Sequence, residues 1–285
     1  DLVPSVNSCH TMFMGIGNYC HQYGREVPNV RLIKQIVENT IRTMKKDDKD
    51  FYIRFLEQAY CSIFDPSRPK DSYPIIDEIE QLLQDESVGT PEDRAHLLEY
   101  QADMERTAEK IIPKLKQAIE MYPEPTAENA VDLYHLHAKV ADFYRRRKKY
   151  DPALEHMKTA IDLSHQFPGH ENENRGLVIG FASLLNDTGQ PEEALKALAP
   201  LEQVLRSAMP NTFEHTVVLR KLAAITANCG DADKGLSLLD EAWSVYRFLC
   251  ASDAEQLQHY AKIIDEFRKH IQLCRNHPAA SVRGI

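Results

Sequence analysis

The chain has 285 residues, 43% of them hydrophobic and 27% charged, which is an ordinary globular composition and excludes disorder over most of its length. The formal net charge of −9 argues against a protein that coats nucleic acid non-specifically. Only 11 glycines are present and no apolar run is long enough to cross a membrane, so the composition favours an all-helical chain without a membrane partner.

The first third of the chain, residues 1–91, is predicted to be helical. The segment FYIRFLEQAYCSIF places apolar residues such as Phe55 and Leu56 on one helix face, and prolines separate it from the next segment. The predicted helices cover residues 8–23, 29–46, 50–64 and 74–86. We interpret this region as a degenerate helical-hairpin extension of a helical array in the rest of the chain. A separate small helical domain is the alternative, and residues 86–92 are the predicted boundary in both cases.

A repeat runs through residues 92–285. Its clearest copies are KYDPALEHMKTAIDL, QPEEALKALAPLEQV and DADKGLSLLDEAWSV, which align on Ala153, Ala194 and Gly235 at a spacing of 41 residues. Each small residue is followed by leucine, and an apolar residue stands four positions on, as on a buried helix face. The predicted units begin near residues 92, 134, 175 and 216, and a partial unit begins near 257.

Turn residues divide each unit into two helices. Pro152 and Pro191 stand at first helical positions, and Gly189 and Gly230 stand where the preceding helix must end. The unit is therefore a helix, a tight turn, a second helix and a longer link. A chain of such units predicts an all-α protein made of stacked helix pairs.

These residues resemble the tetratricopeptide repeat (TPR) family. The matching residues in the first clear unit are Val140, Ala141, Tyr144, Tyr150, Ala153, Leu154 and Ala160. The standard unit has 34 residues, so this chain is similar to a variety with longer units of 41 to 42. The resemblance implies a right-handed α-α superhelix, or solenoid, of antiparallel helix pairs that binds a protein or peptide in a concave groove.

In the TPR family, the first helices of the pairs line the groove and ligands contact recurrent positions on them. Carried over to this sequence, the resemblance implies a partner-binding groove formed by His135, Lys139, Asp142, Arg145, Ser183, Asn186, Arg220, Lys221, Lys262 and Asp265. Arg220, Lys221 and Lys262 could form a basic strip that favours an acidic partner. The alternative is that they are ordinary solvated charges.

No catalytic motif is present: the sequence has no GxSxG, no GxxxxGK[ST] and no HExxH. Cys9-His10 and Cys20-His21 form the most suggestive metal pattern, but zinc sites normally use shorter local spacings. We therefore expect no enzymatic activity, no metal and no cofactor. Six scattered cysteines without a CxxC pair are typical of reduced thiols and favour a cytoplasmic location, with a nuclear one as the alternative.

These patterns support three hypotheses about function. The leading hypothesis is a non-enzymatic interaction scaffold or adaptor that binds a partner in the groove. Because the chain begins with Asp1, a regulatory or self-assembly segment of a larger protein, enzymatic or not, is the second. The third is a nucleic-acid-associated or nuclear protein that uses the basic run 145–149, although the acidic balance makes nucleic acid the less favoured partner.

Overall fold

A computed structural model describes residues 48–63, 69–167 and 171–276. These residues form eleven α-helices and one short 3₁₀ turn and contain no β-strand, which confirms the predicted all-α class. The helices predicted over 8–23 and 29–46 lie outside the described residues, as does the Cys9-His10 and Cys20-His21 pattern. No helix among the described residues combines the length and the apolar character needed to cross a bilayer.

The chain divides into two compact units, residues 1–125 and 126–285. The described part of the first unit contains α1 (Lys49–Ile63), a 3₁₀ turn (Pro69–Ser72), α2 (Tyr73–Leu83), α3 (Pro91–Asp103) and α4 (Ala108–Met121). Helices α1 and α2 correspond to those predicted over 50–64 and 74–86. The pair α3 and α4 packs within the first unit; that it is the first copy of the repeat stays a prediction.

The core of the first unit lies between α1, α2 and α3. Tyr52, Ile53 and Leu56 of α1 are fully buried and form one cluster with Ile79 of α2 and Tyr100 of α3. Apolar residues at this helical spacing give each helix a single buried face, as the sequence predicts. These side chains hold α1 against its two neighbours.

Two reciprocal hydrogen bonds between Thr90 and Asp93, which form a capping box, fix the start of α3. The Thr90 side chain accepts from the Asp93 backbone N–H, and an Asp93 carboxylate oxygen accepts from the Thr90 N–H at 2.7 Å. Arg94 donates to the carbonyls of Leu83 and Val88, at 2.6 and 2.9 Å. These bonds satisfy carbonyls at and beyond the end of α2 and fix α3 against α2.

The second unit contains seven helices in chain order, and consecutive helices pack against each other. Helices α5, α7, α9 and α11 are the first helices of the repeats and also contact one another in turn. This is the arrangement of stacked antiparallel helix pairs that the sequence predicts. The bounds are α5 (Ala130–Arg146), α6 (Tyr150–Gln166), α7 (Glu171–Asp187), α8 (Pro191–Ala208), α9 (Phe213–Asn228), α10 (Ala232–Leu249) and α11 (Ala254–Asn276).

The turn inside each helix pair uses a left-handed residue at one repeat position. Lys148, Gly189 and Gly230 have φ values of 58°, 78° and 97° and stand 41 residues apart. This conformation lets the chain leave the first helix and re-enter the second after a few residues. The predicted helix ends at Gly189 and Gly230 are confirmed, whereas Lys148 adopts the same conformation without the freedom of glycine.

Small side chains bring the helices of the second unit close together. Five alanines at the repeat positions identified in the sequence are fully buried: Ala141, Ala153, Ala182, Ala194 and Ala223. One close approach is at Gly235 of α10, where an added Cβ would lie 2.7 Å from the carbonyl oxygen of Ala223 in α9. Among the described residues, Cys250 and Cys274 are buried thiols that form no disulfide bond.

Candidate partner-binding groove

All ten predicted groove residues lie on the first helices of the second unit. His135, Lys139, Asp142 and Arg145 belong to α5, Ser183 and Asn186 to α7, Arg220 and Lys221 to α9, and Lys262 and Asp265 to α11. The structure brings Arg145, Arg220 and Lys221 into one charged cluster. His135 is exposed with its ring against the adjacent Tyr134, and the Ser183 hydroxyl donates to the carbonyl of Ile179 in its own helix.

An ion pair joins α5 to α7. Arg145 donates to Asp187 at 3.1 Å and to Asp142 at 2.9 Å. The Asp187 side chain is only 6% exposed, and its second oxygen is buried without a hydrogen-bond partner among the described residues. Burial lowers the pKa of Arg145, but the hydrogen bonds and charges of Asp142 and Asp187 outweigh it and raise the pKa.

Lys221 of α9 is a half-buried cation in the same cluster. Burial lowers its pKa, the positive charges of Arg145 and Arg220 lower it further, and the charge of Asp187 opposes them. In the described part of the chain, no carboxylate lies within 4.0 Å of the Lys221 ammonium. The cluster therefore holds more positive than negative charge around a single buried aspartate.

Arg220 lies beside Lys221 and packs on two aromatic rings. Its guanidinium carbon is 5.8 Å from the ring centre of Tyr246 and 5.3 Å from that of Phe267. Tyr246 in turn stacks on Tyr260 with ring centres 4.0 Å apart. The Arg220 Nε is buried and has no hydrogen-bond partner among the described residues. Cation–π contacts of this kind hold a guanidinium in place without neutralising its charge.

A second polar network links α7, α9 and α11. Asn228 donates to the Asn186 side-chain oxygen at 2.8 Å, and the Asn228 oxygen lies 3.2 Å from both His270 Nε2 and Cys274 Sγ. Of these residues, only Asn186 was predicted from the sequence. Asn228 follows Asn186 by 42 residues, and His270 follows Asn228 by 42 residues. This spacing is one residue longer than the repeat of 41. Polar residues that recur at this spacing are the sequence signal that could have identified the network.

Two predicted residues lie on α11, the last helix of the described residues. Lys262 and Asp265 are exposed on α11, and Asp265 lies 3.7 Å from Arg268 in the same helix. No described ion pair involves Lys262. Arg268 also pairs with Asp240 of α10 at 2.6 Å. Exposed pairs of this kind contribute little to stability, so these residues affect the surface charge more than the fold.

A histidine pair joins α5 to α6. The Nδ1 atoms of His137 and His156 are 3.1 Å apart, and the ring of Tyr144 stacks on His156. Burial is the larger cause, and the neighbouring His156 the smaller one, of a lowering of the pKa of His137 to about 4. The imidazole of His137 is therefore neutral at physiological pH, and it packs against the ring of His156.

The basic run 145–149 lies at the turn between α5 and α6. Arg146 pairs with Asp142 at 2.6 Å, whereas Arg147, Lys148 and Lys149 are exposed. The run is thus split between the end of a helix and a solvated turn. Cations at a helix C-terminus also interact favourably with the helix dipole, which accounts for part of the run without a ligand.

No protein-family model matches this sequence, and no curated protein matches it. One solved structure with a similar fold is the crystal structure of a Rap protein complexed with competence and sporulation factor. The match has a TM-score of 0.52 at 16% sequence identity and covers 94% of this chain and 74% of that chain. At this identity the likeness concerns the fold alone, and it confirms the predicted TPR-like helical-repeat architecture.

Proposed function

We propose that the second unit is a non-enzymatic interaction module that binds an acidic segment of a protein or peptide across its first helices. The observation that carries this proposal is the pair Arg220 and Lys221. Both are half-buried, adjacent on α9 and without an ion-pair partner among the described residues. Half-buried cations normally have a carboxylate within reach, because burial without one is costly.

A bound carboxylate would complete this cluster. Burial and the neighbouring charges of Arg145 and Arg220 lower the pKa of Lys221. An anionic group placed between Arg220 and Lys221 would favour the charged form of the lysine. The guanidinium of Arg220 is already oriented by Tyr246 and Phe267, so less side-chain freedom is lost when a ligand binds.

The similar fold of the Rap protein supports this proposal in a general way, since that protein is complexed with competence and sporulation factor. A helical repeat presents side chains of successive first helices to one ligand, as scaffolds and adaptors require. We infer an acidic partner for this chain from its own cations. We further propose a cytoplasmic location, in keeping with the thiols of Cys250 and Cys274, and the absence of catalysis, in keeping with the lack of catalytic motifs in the sequence.

A binding experiment with paired variants tests the proposal. Fluorescence anisotropy would compare a labelled peptide rich in glutamate with one of the same length rich in lysine. We expect the acidic peptide to bind better, and the double variant Arg220→Gln, Lys221→Gln to weaken its binding about tenfold or more. The matched control is Lys158→Gln with Lys234→Gln, which removes two exposed cations from second helices.

Two outcomes would count against this assignment. An equal loss of affinity for the acidic peptide in both double variants would indicate a non-specific effect of net charge. Unchanged affinity in both would show that Arg220 and Lys221 of α9 do not contribute to binding. A labelled single-stranded oligonucleotide provides a third arm. Binding of the oligonucleotide that falls steeply with salt and depends on the run 145–149 would favour the nucleic-acid alternative.

A further inference from the structure

Three side chains with metal-binding atoms converge between α1 and α3 in the first unit. They are Glu57 of α1 and Asp93 and His96 of α3, and their ligand atoms all lie within 4.8 Å of one another. His96 Nδ1 is 3.0 Å from the Glu57 carboxylate. The cluster lies far from the groove residues in the chain, and nothing in the proposed function uses it.

The cluster is buried and its geometry is fixed by the fold. Glu57 and Asp93 are each 7% exposed, whereas the His96 side chain is 24% exposed and opens to solvent. Asp93 is held by the capping box with Thr90. The N–H of Gly89 also donates to Asp50 at 2.8 Å, which ties the loop before α3 to the start of α1. Two carboxylates and an imidazole are therefore brought together by a rigid interface.

We propose that Glu57, Asp93 and His96 bind a divalent first-row transition-metal ion that links α1 to α3. Imidazole nitrogen is a ligand that zinc and similar ions accept and that magnesium and calcium do not favour. Ligand atoms around a tetrahedral zinc ion are roughly 3.3 Å apart. His96 Nδ1 and the Glu57 oxygen are 3.0 Å apart, and an Asp93 oxygen lies within 4.8 Å of both, so a small approach of Asp93 would complete the set. A doubly charged ion would also offset the repulsion between two buried carboxylates.

The coordination set leaves room for solvent. The described residues supply three ligands, and a fourth position of a tetrahedral ion could be taken by solvent that enters along the exposed edge of His96. Because Glu57 and Asp93 are 36 residues apart, no local sequence motif marks the site. An ion at this position would bind the folded first unit and not the unfolded chain, and would therefore stabilise it.

Titration calorimetry with Zn²⁺ on the full chain, after removal of metal with a chelator, tests this proposal. We expect one Zn²⁺ per chain at this site, and Zn²⁺ binding weakened about tenfold or more by Glu57→Gln and by Asp93→Asn. Mg²⁺ should not compete. The matched controls are Glu80→Gln, an exposed carboxylate of α2, and His165→Gln, an exposed imidazole of α6.

A second measurement distinguishes the loss of metal binding from poor folding of a variant. Asp93→Asn retains an oxygen that can accept from the Thr90 N–H, so the start of α3 is preserved. For each variant, the rise in Tm caused by Zn²⁺ is compared with that variant's own metal-free Tm. Absence of Zn²⁺ binding in the unmodified chain, or Zn²⁺ binding that is unchanged in both variants, would overturn the proposal and leave these residues a hydrogen-bonded cluster.

Discussion

The side-chain amide of Asn228 donates to the side-chain oxygen of Asn186, and this bond of 2.8 Å joins the ends of α9 and α7. The side-chain oxygen of Asn228 also accepts a hydrogen bond from His270 of α11, whose Nε2 lies 3.2 Å away. That contact requires a hydrogen on Nε2, which leaves the buried Nδ1 of His270 as the unprotonated nitrogen. Burial lowers the pKa of His270, in agreement with a neutral ring.

Asn228→Ala should therefore destabilise the second unit. The substitution leaves Asn186, His270 and Cys274 without their shared partner, and we expect the free energy of unfolding to fall by about 1–3 kcal/mol. Urea denaturation followed by circular dichroism would measure the change. Asn276→Ala, at the exposed end of α11, is the control and should stay within about 0.5 kcal/mol of the unmodified protein. Equal effects would show that the network contributes nothing specific.

Glycine-to-alanine substitutions should have opposite effects at two helical positions. At Gly235 the new Cβ would meet the Ala223 carbonyl oxygen at 2.7 Å, so α9 and α10 must separate. We expect a loss of about 1–3 kcal/mol. At Gly176 nothing lies within 4 Å of the new Cβ, and helix propensity should give a gain of about 0.5–1 kcal/mol. Thermal unfolding of both variants checks the signs, and a stabilised Gly235→Ala would contradict the close approach.

Arg145→Gln should cost more than Arg146→Gln, although the two arginines are adjacent. Arg145 is the described ion-pair partner of Asp187, which is 6% exposed. Arg146 is 68% exposed, and its one ion pair within the described residues is with Asp142. Loss of a buried pair leaves an uncompensated charge, so we expect up to about 3 kcal/mol for Arg145→Gln. The Arg146→Gln variant should change stability by less than about 1 kcal/mol. Denaturant midpoints that do not differ would exclude the buried pair as a stabilising element.

The histidine pair of α5 and α6 predicts a dependence of stability on pH. The pKa of His137 is lowered from 6.5 to about 4 in the folded protein. The unfolded chain therefore binds this proton more readily, and the free energy of unfolding falls as the pH drops from about 6.5 to about 4. The loss attributable to His137 should be at most about 3–4 kcal/mol.

Denaturation at several pH values, compared between the unmodified protein and His137→Gln, isolates this effect from the protonation of carboxylates. The variant should show a flatter profile between about pH 4 and 6.5, because it lacks the group that takes up the proton. His165→Gln, which removes an exposed histidine of α6, should retain the full slope. An unchanged slope in His137→Gln would show that the imidazole titrates normally in the folded state.

The sequence predicts the helices of the second unit well because each carries its own local signals. Ala153, Ala194 and Gly235 mark the buried faces, and Gly189 and Gly230 mark the turns. The left-handed backbone of Lys148 was not predicted, because a lysine in a sequence does not indicate that conformation. The groove positions on the helices agree with the same register, although their role in binding stays a prediction.

The contacts between repeats could not be predicted in the same way. Asp187 follows the predicted groove residue Asn186, and Asn228 is not among the predicted groove residues. Only the stacking of the helices reveals the partners of Asp187 and Asn228. The cluster of Glu57, Asp93 and His96 depends on how α1 packs against α3, which no periodic pattern specifies. Local structure is encoded in short segments, whereas these sites depend on distances between segments.

The polar bonds between neighbouring first helices have a consequence for folding. Among the described residues, these bonds join positions 39 to 46 residues apart in the chain, and each connects one repeat to the next. The entropic cost of closing a loop of this size is only slightly larger than that of closing a shorter loop. These bonds also do not require residues from distant repeats to meet during folding. Folding of this unit can begin at any helix pair and spread to either side, at the rates typical of proteins with low contact order.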